Sequence, residues 1–138
     1  MTRNNALHTQ APYLSDRISK ALVVDDEADI YFLIGNILKQ RDIQTVSAAS
    51  ISEAFDVLKK NPDIDLIFLD NRLPDGLGYQ FIGSFKKLTA APIIMITAYD
   101  TSYDRKMAVS NGADDFIGKP FTRKEILAII DKRQHSPR

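Results

Sequence analysis

Asp65-Leu-Ile-Phe-Leu-Asp70 is the stretch on which the fold turns. Four consecutive apolar residues lie between Asn61-Pro62 on one side and Leu73-Pro74-Asp75-Gly76 on the other. An unbroken apolar run of that length, with turn residues on both flanks, reads as a strand of a parallel sheet covered on both faces. An acid, Asp70, stands where the strand gives way to a loop. In open α/β sheets, ligands and chemistry collect outside the carboxyl ends of the strands. Asp70 is therefore the first candidate for function.

Either side of this strand, the same alternation repeats. Apolar runs at 21–24, 43–48, 92–97 and 115–119 read as four more strands, the first leading straight into Asp25-Asp26-Glu27 and the last stopped by Pro120. Between them lie helical periods. Ile30, Leu33, Ile34, Ile37 and Leu38 recur at i, i+3, i+4, i+7 and i+8. Ser50 with Glu53 makes a capping box ahead of Ala54, Phe55 and Leu58, and Thr122 with Glu125 makes another ahead of Ile126, Leu127, Ile129 and Ile130. Leu77, Phe81, Ile82, Phe85 and Leu88 trace one face of a third helix. A fourth is capped by Thr101 and Asp104 and stops near Asn111-Gly112. Five strand–helix alternations with short connections call for a parallel sheet between two helical layers, joined by right-handed crossovers.

Composition narrows the function classes. At 138 residues and 44% hydrophobic, the chain suits one domain with one core. Eighteen basic residues balance eighteen acidic ones, which disfavours a nucleic-acid-binding face or a polybasic membrane patch. No apolar run approaches the roughly 20 residues of a membrane span, and the first eight residues lack the apolar core of a signal peptide. There is no cysteine, which excludes disulfides and thiolate chemistry and fits a reducing compartment. The expectation is a cytoplasmic protein with a flexible polar arm over 1–18, a folded domain over 19–133 and a frayed tail over 134–138.

The strand ends carry the chemistry: Asp25 and Asp26, then Asp70, Thr97 and Lys119. If these strands are neighbours, three carboxylates share one crevice with a hydroxyl and an ammonium. Two like charges 4 Å apart repel by about 4 kcal/mol at an effective dielectric of 20, so such a site needs a further cation or bound protons. Oxygen donors without imidazole or thiolate favour a hard ion such as Mg²⁺. Acids, lysine, hydroxyl and Mg²⁺ together suit phosphoryl transfer to a carboxylate.

Val23-Val-Asp-Asp-Glu27, Leu69-Asp-Asn-Arg-Leu-Pro74 with Gly78, Ile96-Thr-Ala98 and Lys119-Pro-Phe121 stand in an order and spacing that resemble a response-regulator receiver domain, the phosphoacceptor half of two-component signalling. The resemblance covers roughly residues 19–133. It implies a flavodoxin-like fold, a five-stranded parallel sheet of order 2-1-3-4-5 with helices on both faces. It also implies that Asp70 accepts a phosphoryl group from a sensor histidine kinase or phosphotransfer protein. Asp25, Asp26, Asp70 and the main-chain carbonyl of Arg72 would ligate Mg²⁺ (or Mn²⁺), Asp25 largely through water. Lys119 would pair with the phosphoryl group, and the Lys119-Pro120 bond would be cis. Thr97 and the aromatic residue Phe116, where many relatives have tyrosine, would form the switch, while Arg72 and Tyr99 would tune the rates. The α4-β5-α5 surface, the segment of Tyr103, Met107, Phe116, Phe121 and Ile126, would engage an output domain, a partner protein or a second copy of the chain. No turnover beyond slow autodephosphorylation is implied.

Three other readings compete. Phosphatases of the haloacid-dehalogenase class also form an aspartyl phosphate, but they need an acid two residues after the nucleophile, where this chain has Arg72. A constitutive docking or dimerisation module would not need the complete acid, hydroxyl and lysine set. The chain could also be the receiver cut from a larger regulator with a DNA-binding or enzymatic output domain, which the residues after about 133 are too few to form by themselves.

Overall fold

A computed structural model gives the structure of residues 17–98 and 101–135. Five parallel strands form the central sheet: β1 (Lys20–Val24), β2 (Gln44–Ala48), β3 (Leu66–Asp70), β4 (Ile93–Thr97) and β5 (Asp115–Gly118). Their spatial order is β2-β1-β3-β4-β5, the order expected. Five helices connect and follow them: α1 (Ala28–Leu38), α2 (Ile51–Lys60), α3 (Ile82–Lys86), α4 (Ser102–Ser110) and α5 (Arg123–His135).

The two-fold period of a strand sorts the core into two layers. Leu22 and Val24, Ile67 and Leu69, and Ile93 and Met95 face one side, with Ala54 and Leu58 of α2, Ile82 and Phe85 of α3 and Ala108 of α4. Ala21 and Val23, Leu66 and Phe68, and Ile94 and Ile96 face the other, with Ile34, Ile37 and Leu38 of α1 and Ile126, Ile129 and Ile130 of α5. Both faces of β3 are therefore covered, and all five of its residues are buried. At the far end of that second layer Arg41 forks onto Asp131, with Nε–Oδ1 2.8 Å and Nη2–Oδ2 3.0 Å, tying the turn after α1 to α5.

The caps form as the sequence predicts. Ser50 Oγ accepts from the Glu53 N–H at 3.1 Å, and Glu53 reaches back to the Ala49 N–H at 2.6 Å. Thr122 Oγ1 accepts from the Glu125 N–H, and Glu125 Oε1 from the Thr122 N–H at 2.8 Å. Thr101 Oγ1 accepts from the Asp104 N–H. Gly112, at φ +104°, follows the end of α4 in the left-handed region.

Three sequence expectations need correction. The third helix does not run as one element from Leu77. A 3₁₀ turn over Gly78–Phe81 precedes an α-helix confined to Ile82–Lys86, and Leu88 lies beyond its end at 44% exposure. Gly83 and Ser84 are weak helix formers, and the Lys87 and Leu88 N–H groups turn to Ser84 and Phe85 in the tighter i to i+3 pattern. Leu33, assigned to the buried stripe of α1, is 47% exposed, because it stands at the edge of that stripe. Ile126, assigned to the output surface, is fully buried under the sheet. Near the chain ends, α5 continues to His135, and the Ile18 N–H donates to Gln134 Oε1 at 3.2 Å. The arm expected over 1–18 lies outside the described residues up to 16, as does the tail after 135.

Candidate functional site

Register decides which side chains meet. Val24 pairs with Leu69, Asp70 with Ile96 and Thr97 with Gly118. The residues one step beyond β1 and β5, Asp25 and Lys119, therefore emerge at the same sheet edge as Asp70. Oxygens of Asp25, Asp26 and Asp70 lie within 4.8 Å of one another. Asp25 and Asp70 are both 6% exposed, while Asp26 is open to solvent.

Lys119 reaches into this cluster from beyond β5. Its Nζ stands 2.8 Å from Asp25 Oδ2, 3.1 Å from Glu27 Oε1 and 3.4 Å from Asp70 Oδ2. One ammonium thus faces three carboxylates, one for each of its donors. Its backbone is anchored as well, with the Lys119 N–H on the Thr97 carbonyl at 2.8 Å, and the Lys119-Pro120 bond is cis. Burial opposes charge on Lys119, but the hydrogen bond to Asp25 and the charges of Asp70 and Asp25 outweigh it and raise the ammonium pKa. Burial, then the Asp25 charge, pushes Asp70 up to about 6, with Lys119 only partly offsetting them. Four acids around one lysine leave the cluster short of positive charge.

The loop after Asp70 is held by its own backbone. Asp70 Oδ1 accepts from the Asn71 N–H at 2.8 Å. Asn71 is buried, accepting the Gly78 N–H on its carbonyl at 2.7 Å and the Tyr79 N–H on Oδ1 at 3.1 Å. Residues Arg72–Leu73 and Gly76–Leu77 pair as a two-residue antiparallel ribbon between these anchors. A Cβ on Gly78 would overlap the Asp70 carbonyl, so glycine is required there by close approach.

The structure thus brings together Asp25, Asp26, Asp70 and Lys119. Thr97 is completely buried at the end of β4, one strand over from Lys119. Arg72 is exposed in the ribbon, paired with Leu77. Phe116 stands on β5, half-buried, with the Arg105 guanidinium of α4 4.5 Å from its ring centre. Tyr99 lies outside the described residues. Glu27 and Asn71 went unassigned in the sequence reading. Glu27 follows the acid pair directly, and that adjacency is the one signal that could have marked it.

All the donors gathered here are oxygens, with no histidine or cysteine, and the deficit of positive charge matches a small hard divalent ion. The donor set therefore fits Mg²⁺ or Mn²⁺. Among the described residues, no helix is long and apolar enough to cross a membrane.

The family model of the response regulator receiver domain matches residues 21–131. The phosphate regulon transcriptional regulatory protein PhoB of Escherichia coli is 40% identical over 80% of this chain and 49% of its own length. The transcriptional regulatory protein YxdJ of Bacillus subtilis is 38% identical over 82% of this chain and 49% of its own. The chain spans about half the length of the curated relatives it matches. A crystal structure of a two-component response regulator from Clostridium difficile superposes with a TM-score of 0.76 at 28% identity, covering 84% of this chain and 94% of that one.

Proposed function

The chain belongs to the response-regulator receiver family, whose general role is that of a phosphorylation switch in two-component systems, and we propose that Asp70 is the phosphoacceptor of that switch. The observation that carries this reading is the convergence of Asp25, Asp26, Asp70 and Lys119 at one sheet edge. The donor is a phosphohistidine on a sensor kinase or phosphotransfer protein. A carboxylate oxygen of Asp70 forms the new O–P bond as the N–P bond breaks. The electron pair of that bond stays on the imidazole, which takes a proton from solvent.

Lys119, already 3.4 Å from Asp70, pairs with the phosphoryl oxygens, and Thr97 donates its hydroxyl to one of them. Asp25, Asp26, Asp70 and the main-chain carbonyl of Arg72 would hold Mg²⁺ (or Mn²⁺), which when bound neutralises charge on the transferring group. Arg72 and Tyr99 set the rates of gain and loss of phosphate. Hydrolysis is slow, so the domain signals and does not turn over substrate. Thr97 and Phe116 carry the change to the α4-β5-α5 face. There an output domain, a partner protein or a second copy reads it, in the cytoplasm. The unit that carries this switch is the domain expected over 19–133, extended by the bond from Ile18 to Gln134 and by the run of α5 to His135.

Incubation with acetyl phosphate and Mg²⁺ tests the reading. Mass spectrometry should find one acid-stable, hydroxylamine-labile phosphoryl group on the wild-type chain, with none on Asp70→Asn. Absence of the adduct from the wild-type chain would refute it.

A further inference from the structure

The loop that follows Asp70 has a second anchorage, on a helix remote in sequence. Asp75, at the tip of the ribbon, accepts the Ile51 N–H on Oδ1 at 2.9 Å and the Ser52 N–H on Oδ2 at 3.0 Å. These are two of the N–H groups that the first turn of a helix leaves unsatisfied. Ser50 takes a third, from Glu53. The start of α2 is thus shared between its own cap and a carboxylate from another loop. The N–H of Ser52, then that of Ile51, holds the Asp75 carboxyl below the usual carboxylate range. Ile51 also packs beside Gly76, next to Asp75 in the ribbon.

Both ends of this tether border the acid cluster. Arg72 and Asn71 lie between Asp75 and Asp70, and Gly78 closes the loop onto Asn71. On the other side, the segment leading into α2 lines the same cleft: Ala48, Ala49 and Glu53 face it together with Asp25 and Asp26. The Asp25 N–H donates to the Ala48 carbonyl at 3.0 Å. One carboxylate therefore closes a ring that runs from Asp25 through Ala48 to α2, across Asp75 to the ribbon, and back to Asp70.

We infer that Asp75 is a positioning residue for the phosphoacceptor site, fixing the Asp70–Gly78 loop and its Arg72 carbonyl against the Asp25–Asp26 side of the cluster by clamping the ribbon to the first turn of α2. The inference deepens the functional reading above and rests on it. A cap that merely stabilised α2 would raise stability and leave the site unchanged. A clamp sets the spacing of the metal-binding oxygens as well.

The test compares Asp75→Ala with Ser50→Ala, which removes the helix's own cap without touching the ribbon. Mg²⁺ affinity is measured by calorimetry, and the phosphorylation rate is measured with acetyl phosphate at saturating Mg²⁺. Asp75→Ala should weaken Mg²⁺ binding on the order of 10-fold, the lower end of what loss of an outer-shell partner does, and slow phosphorylation. Asp75→Asn, which keeps one acceptor, should recover part of both. Ser50→Ala should lower Tm with Mg²⁺ affinity within twofold of wild type. Equal Mg²⁺ affinity and rate in Asp75→Ala and wild type would overturn the clamp while leaving the phosphoacceptor reading intact. A wild-type chain that binds no Mg²⁺ would overturn both.

Discussion

Asp70 is held in the fold at a cost. Burial and the neighbouring Asp25 raise its carboxyl from the ordinary 3.8 to about 6. The folded state therefore binds this proton more tightly than the unfolded chain does. Stability falls as pH rises from about 4 through 6, and the penalty is complete above that. Asp70→Asn removes the charge and leaves Lys119 with Asp25 and Glu27. Without divalent ions, the variant should melt above wild type at pH 7 to 8, with the gain shrinking as pH drops towards 4. Thermal melts across that range in chelator check it. An equal or lower Tm at pH 8 would mean that the acid cluster imposes no penalty. Asp25, Asp26, Asp70 and Lys119 were legible in the sequence because each ends or directly follows an apolar run, and parallel strands bring such residues to one edge. Glu27 and Asn71 were not, since their roles depend on where a side chain turns after the strand has ended.

At the scale of elements, the coupling proposed between site and surface would run through β5 and α4. Phe116 has no hydroxyl to bond at the surface, and the Arg105 guanidinium over its ring supplies an attraction in its place. Such a contact is worth about 0.5–1 kcal/mol at an exposed site. The proposed inward movement of Phe116 would give it up. Arg105→Ala should therefore favour the inward position and raise the phosphorylated fraction at subsaturating acetyl phosphate, by up to about fivefold in the equilibrium constant. Phosphorylated and unphosphorylated fractions separated on a Phos-tag gel give the number, and an unchanged fraction would show that the stack does not oppose the switch. Helix existence and caps were readable here from Ser50–Glu53, Thr101–Asp104 and Thr122–Glu125, because capping is a local device. The extent of α3 was not. Its apolar spacing matches a longer helix, and the closure of Gly78 onto Asn71 and the Asp70 carbonyl, a tertiary constraint, dictates the 3₁₀ start.

For the whole molecule, the sheet alone brings Asp25, Asp26, Asp70 and Lys119 to one edge. The two-layer core followed from five alternations, since β3, apolar along its length, must be covered on both faces, whereas the strand order was implied by the family resemblance. A ligand that binds only the folded chain stabilises it by mass action. Mg²⁺ at 100 times its dissociation constant should add about 2.7 kcal/mol, seen as a Tm several degrees higher than in chelator. Asp26→Asn, which removes an exposed member of the acid cluster, should lose most of that rise. A rise of the same size in the variant would place the ion elsewhere.

The most direct measurement locates the phosphoryl group itself. Borohydride reduces an aspartyl phosphate to homoserine, which peptide sequencing by mass spectrometry assigns to a position. After treatment with acetyl phosphate and Mg²⁺, homoserine should appear at residue 70 and nowhere else. Homoserine at Asp25 or Asp26, with residue 70 still aspartate, would contradict the assignment of Asp70 as phosphoacceptor.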